Sequence, residues 1–82
     1  MENYYIIVFT NTHNAIEAER AIKGEGFPIG IMPTPSHITQ SCGISIRFRE
    51  ENLPSIKRLI EEDKIHIKHI YHKTEIGFQE VL

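Results

Sequence analysis

Residues 43–49 read GISIRFR. Apolar and polar side chains alternate along this stretch, so an extended chain carries one set on each side. The apolar set consists of Ile44, Ile46 and Phe48. A period of two predicts a β-strand with one face buried, and the segments before and after this strand set the order of the elements.

Two apolar stretches and one helical pattern precede this strand. Residues 4–9 (YYIIVF) are aromatic and β-branched, which predicts a strand that is covered on both faces. Residues 14–23 (NAIEAERAIK) have the spacing of an amphipathic helix, and either Thr12 or Asn14 is placed to cap it. Residues 27–32 (FPIGIM) are short and apolar, and predict a second strand.

A second helix and a last strand follow. Asn52 and Pro54 mark a helix start, and apolar side chains at helical spacing continue the helix to Asp63. Residues 65–71 (IHIKHIY) begin with strand-like alternation. Residues 73–82 are compatible with a strand extension, a helix or a tail, and form a C-terminal extension of the single domain.

The predicted order of elements is β-α-β-β-α-β within one domain, residues 1–82. Right-handed crossovers and compact layering favour an α+β, ferredoxin-like βαββαβ sandwich. In that fold two helices lie on one face of a four-stranded antiparallel sheet, and the strand order is 4-1-3-2. The end of the first strand, the start of the first helix and the start of the third strand then lie at one end of the sheet.

Composition excludes several classes of function. A net charge of −2 gives no general attraction to nucleic acid or to an anionic membrane surface. No apolar run approaches the ~18–20 residues of a membrane span, and the N-terminus lacks the features of a signal peptide. A single cysteine cannot form an internal disulfide, so we expect a cytoplasmic protein. No phosphate loop or dinucleotide fingerprint is present, and we expect no cofactor; a homodimer is left open.

The lone cysteine lies in residues 33–43 (PTPSHITQSCG), a loop rich in proline and hydroxyl side chains. The predicted fold brings Cys42 close to residues 10–13, where the first helix begins with free amide donors and partial positive charge. That environment, with His13, lowers the pKa of a thiol and makes it more nucleophilic. A small apolar filler in the core is the alternative interpretation of a single cysteine.

Three neighbours complete the candidate site. Ser41 and Thr39 offer further hydrogen-bond donors to a thiolate at Cys42. Gly43 has no side chain, which leaves room for another sulfur atom to approach.

The segment from Pro33 through Ser41-Cys42-Gly43, followed by the strand that ends at Phe48, resembles the selenium/sulfur carrier protein-like family of small bacterial proteins. The resemblance covers nearly the whole chain. It implies a carrier rather than an enzyme, in which Cys42 holds sulfur or selenium as a persulfide or selenopersulfide. It also implies two protein partners: a donor such as a cysteine desulfurase, and an acceptor.

Other functions remain open at this point. Domains with this order of elements include small-ligand-binding and regulatory dimerisation modules, in which Cys42 would have no chemistry. A redox sensor is a third hypothesis, with the resolving thiol on another molecule. His66, His69 and His72 cluster near the last strand. On a strand His69 would lie on the face opposite His66 and His72, whereas a zinc site needs three or four ligands that converge. We therefore expect no metal site.

Overall fold

The computed structural model describes residues 4–35, 38 and 43–82. The elements in chain order are β1 (Tyr4–Val8), α1 (Thr12–Glu25), β2 (Gly30–Pro33), β3 (Ile44–Phe48), α2 (Leu53–Glu61), β4 (His69–Thr74) and β5 (Gly77–Glu80). A single 3-10 turn (Glu50–Asn52) leads into α2.

The five strands form one sheet in the order β2-β3-β1-β4-β5, and every neighbouring pair is antiparallel. The predicted α+β class is therefore confirmed, and the first four strands lie in the predicted order. The prediction of four strands is wrong, because β5 pairs with β4 from Tyr71↔Glu80 to Thr74↔Gly77. Residues Glu75 and Ile76 form a short turn that lacks the Asn-Gly or Asp-Gly signal of a hairpin.

The central strand β1 is buried on both faces, as its continuous apolar sequence predicts. Tyr5, Ile7 and Phe9 point toward the helices, and the buried side chains of both helices pack on that same face. These helical side chains are Ala15, Ala18 and Ile22 from α1, and Ile56 and Leu59 from α2. Ile6 and Val8 point to the opposite face and are fully buried there as well.

The N-cap of helix α1 lies one residue before Thr12 and three before Asn14, the two predicted caps. Asn11, rather than Thr12 or Asn14, is the N-cap residue, and its side-chain oxygen accepts a hydrogen bond from the Asn14 N–H at 2.8 Å. Its backbone is extended (φ −153°), as a capping residue requires. At the other end Gly26 adopts φ 90°, a left-handed conformation that favours glycine.

Three other boundaries differ from the predicted ones. β2 starts at Gly30, because Pro28 cannot donate a hydrogen bond to a ladder. β4 starts at His69, although Ile65 is buried and keeps the alternation that indicated an earlier start. Helix α2 ends at Glu61, two residues before the predicted Asp63.

Candidate functional site

The connection between β2 and β3 is closed at its base by two hydrogen bonds. The Thr34 N–H donates to the Gly43 carbonyl oxygen at 3.0 Å. The hydroxyl oxygens of Thr34 and Ser45 lie 2.7 Å apart, and both residues are buried. The two ends of the connection are therefore held together at the edge of the sheet.

Ile38 anchors the middle of this connection. Its side chain is only 6 % exposed and packs with Ile6 and Val8 on the face without helices. The Ile38 N–H donates to the Pro35 carbonyl oxygen at 3.1 Å. Sequence reasoning missed this anchor, although Ile38 is the one large aliphatic side chain within residues 34–43 and could have signalled it.

The end of the sheet next to this connection gathers several chain ends. Val8 pairs with Ser45 on one side and with His69 on the other. The Lys68 N–H donates to the Val8 carbonyl oxygen at 2.8 Å, so the chain enters β4 at this same end of the sheet. Because α1 begins at Thr12, four residues after Val8, the helix N-terminus lies at this end too. We call this end, from Val8 to Thr12 and from Gly43 to Ser45, the loop edge.

The predicted site residues fall into two groups. Cys42, Ser41 and Thr39 lie outside the described residues. Gly43 is exposed, and a Cβ built on it has no described atom within 4 Å outside its chain neighbours, so the space beside it is open.

His13 lies in the first turn of α1. Its side chain is 77 % exposed, and its Nε2 is 3.0 Å from a carboxylate oxygen of Glu17 one turn along the helix. The helix thus orients His13 toward solvent at the loop edge. A contact between His13 and the thiol stays a prediction.

The three histidines near β4 have separate surroundings. His66 lies 3.5 Å from an Asp63 carboxylate oxygen, and His69 lies 3.3 Å from a carboxylate oxygen of Glu80. The His72 ring stacks on Tyr5 with 4.3 Å between ring centres. Among residues 4–35, 38 and 43–82, no group of three His, Cys, Asp or Glu side chains is placed to hold a metal ion.

The Tyr5 phenol has a raised pKa. Burial raises the pKa of its phenol above the ordinary 10.0, and the nearby Glu50 carboxylate raises it further. Glu50 follows the last residue of β3 by two positions, so this effect belongs to the end of the sheet away from the loop edge. The phenol thus contributes nothing to the electrostatics around Gly43.

These features define a class of small α+β protein with a cysteine-bearing connection tied to one edge of a five-stranded sheet. The family model described as "Putative Se/S carrier protein-like" matches residues 4–72, from the start of β1 into β4. The chain belongs to this family. β5 lies beyond the matched residues.

The other comparisons add no relatives. Neither the curated proteins nor the solved structures gave a match. None of the helices within the described ranges combines the length and the apolar character that crossing a membrane requires.

Proposed function

We propose that the protein carries sulfur or selenium on the thiol of Cys42. Two findings support the proposal: membership of the Se/S carrier protein-like family, and the closed base of the β2–β3 connection. The hydrogen bond from Thr34 to Gly43 carries most weight, because it fixes the residue that follows Cys42 at the loop edge. Cys42 is covalently bonded to this anchored residue in the sequence.

The electrostatics of the loop edge favour a thiolate. The aligned peptide dipoles of α1 give its N-terminal end partial positive charge. The first turn of α1 contains no carboxylate that would cancel this charge, and the next acidic residue, Glu17, lies beside His13. A cysteine in such surroundings has a pKa below the usual ~8.5 and reacts faster at neutral pH.

Loading and unloading are thiol–persulfide exchanges. The Cys42 thiolate attacks the terminal sulfur of a persulfide on the donor protein, and a new S–S bond forms as the donor's S–S bond breaks. The donor cysteine leaves as a thiolate and takes up a proton. The acceptor repeats the exchange with Cys42, so no net oxidation or reduction occurs. A selenium atom in the terminal position follows the same path, with an Se–S bond in place of the S–S bond.

The first prediction is a mass change on Cys42. Incubation of the full-length protein with an active cysteine desulfurase and cysteine will add one sulfur atom, and a thiol reductant will remove it. Intact-mass spectrometry without reductant measures the change, and the Cys42→Ser variant is the matched control. If the desulfurase loads a control carrier but leaves this protein at its original mass, the proposal is wrong.

A further inference from the structure

A groove of about 340 Å³ lies at the end of the sheet opposite the loop edge. It is formed where β1 and β2 begin and where β3 ends, and its walls include Tyr4, Gly30, Arg47 and Arg49. A volume of this size accommodates a small organic molecule. Nothing in the carrier function accounts for it.

Two guanidinium groups in the groove have no carboxylate partner among the residues that the structure describes. Arg47 and Arg49 are both exposed and lie two residues apart along an extended segment, so both project to the same side of the sheet. Within the described part of the chain, no carboxylate oxygen lies within 4.0 Å of either guanidinium, whereas Arg58 pairs with Glu25 at 2.8 Å. The groove therefore has positive charge on a protein whose net charge is −2.

Gly30 makes room for one of these guanidinium groups. Arg47 pairs with Gly30 across the sheet, and a Cβ built on Gly30 would lie 3.3 Å from the Arg47 Nη2 atom. The backbone of Gly30 does not have the positive φ that would itself call for glycine. Glycine in a strand costs about 0.5–1 kcal/mol and often marks a close approach of another group. Here the space that a side chain would fill is taken by the guanidinium.

Arg47 is also held from its other side. Its guanidinium carbon lies 5.5 Å from the centre of the Tyr4 ring, within the range of a cation–π contact. Tyr4 is at the start of the central strand and belongs to the partly buried cluster on the face without helices. The Tyr4 ring and the Gly30 backbone thus orient Arg47 toward the groove without neutralising it.

We propose that this groove binds the phosphoryl group of a small molecule. Guanidinium groups match phosphate oxygens with paired hydrogen bonds, and arginine loses less hydration than lysine when it binds. Two guanidinium charges balance the roughly two negative charges of a phosphate monoester, whereas a single carboxylate would leave one of them unmatched. The remaining groove volume accommodates the organic part of the ligand beside Tyr4.

This site is separate from the proposed thiol site. Gly43 and Arg49 lie at opposite ends of β3, six residues apart, which is about 20 Å along an extended strand. No small ligand reaches both. Loss of phosphate binding and loss of sulfur transfer can therefore be observed independently.

The test is a titration of the protein with inorganic phosphate at constant ionic strength. The amide chemical shifts in the NMR spectrum report binding. We expect amide shifts localised to residues 29–30 and 47–49, with a dissociation constant in the millimolar range for this minimal ligand. Arg47→Gln and Arg49→Gln should each weaken binding by about tenfold or more, since each removes a charged hydrogen-bonding pair. Arg20→Gln, an exposed arginine on α1, and Cys42→Ser should each leave binding within about twofold.

Three results would overturn the proposal. One is the absence of localised shifts. Another is an equal response to acetate, which would mean that the groove attracts any anion. The third is an equal loss of affinity in Arg20→Gln, which would assign the effect to overall charge. Because Arg49 is exposed and outside the core, its variant keeps the test valid even if a change at Arg47 disturbs the sheet.

Discussion

One pair of hydroxyl side chains holds the base of the connection that carries Cys42. The alternation in residues 43–49 predicts a strand with one buried face, but Ser45, on the polar side of that strand, is fully buried as well. Thr34 and Ile38, which both precede β3 in the β2–β3 connection, cover the sheet face without helices and so bury Ser45. A period of two identifies the two sides of a strand, but cannot show that the preceding connection folds back and covers the second side.

A substitution at Thr34 tests this pair. Thr34→Val leaves the buried Ser45 hydroxyl without its partner, which should lower the free energy of unfolding by about 1–3 kcal/mol. The double variant with Ser45→Ala should lose less than the sum of the two single changes, because no buried hydroxyl is then left unpaired. Urea denaturation measures all three variants. Strict additivity would show that the two hydroxyls do not interact.

The raised pKa of the Tyr5 phenol predicts that the free energy of unfolding decreases at alkaline pH. Its pKa is raised in the folded protein by burial and by Glu50, so the folded state keeps the phenol proton at pH values where the unfolded chain has lost it. The unfolded state then binds fewer protons, and stability falls as pH rises from about 10 through the folded-state pKa.

Urea denaturation at about pH 9 and about pH 10.5 checks this dependence. The wild type should lose more stability between the two pH values than Tyr5→Phe, which has no phenol at this position. Other tyrosines and the lysines titrate in both proteins, so only the difference between them is informative. Equal losses in the two proteins would disprove the assignment to Tyr5.

At the scale of elements, the start of α1 shows a limit of sequence reasoning. The residues before and within its first turn read TNTHN, and four of these five side chains are favoured caps. The structure identifies Asn11 as the cap by its extended backbone and by the hydrogen bond that its side chain accepts from the Asn14 N–H. The existence of the helix and its buried face were predictable, because Ala15, Ala18 and Ile22 recur at helical spacing.

Replacement of the cap gives an element-scale prediction. Asn11→Ala removes the 2.8 Å hydrogen bond to the Asn14 N–H and should lower the free energy of unfolding by about 1 kcal/mol. Asn14→Ala is the matched control, since it keeps the backbone N–H and improves helix propensity, and should be neutral or slightly stabilising. Thermal or urea denaturation compares the two. A larger loss for Asn14→Ala would mean that the cap is assigned to the wrong residue.

The fifth strand was beyond prediction for a different reason. Phe78 covers the face without helices together with Tyr4 and Tyr71, and the Val81 N–H donates to the Ile70 carbonyl oxygen at 2.7 Å. These are contacts with elements already formed, and the segment itself has only four paired residues. The local sequence therefore left three alternatives open, and tertiary pairing decided among them.

For the whole molecule, the sheet separates two regions of different chemistry. The N-terminus of α1 and the base of the connection that carries Cys42 both lie at the loop edge. The groove with Arg47 and Arg49 lies at the opposite end of the sheet. Element order was sufficient to predict which chain ends meet at the loop edge, because antiparallel neighbours fix the direction of every strand. The groove was not predictable, since it depends on how Gly30 and Tyr4 flank Arg47 across three strands.

The rate of Cys42 alkylation against pH tests the central claim most directly. We predict fast alkylation of the folded protein, with a midpoint below the ~8.5 of an ordinary thiol. Asn11→Asp should move the midpoint upward, because it keeps the cap but adds a negative charge at the loop edge. Slow alkylation until the protein unfolds, or a midpoint at or above ~8.5 that Asn11→Asp does not change, would contradict an accessible thiolate at this edge.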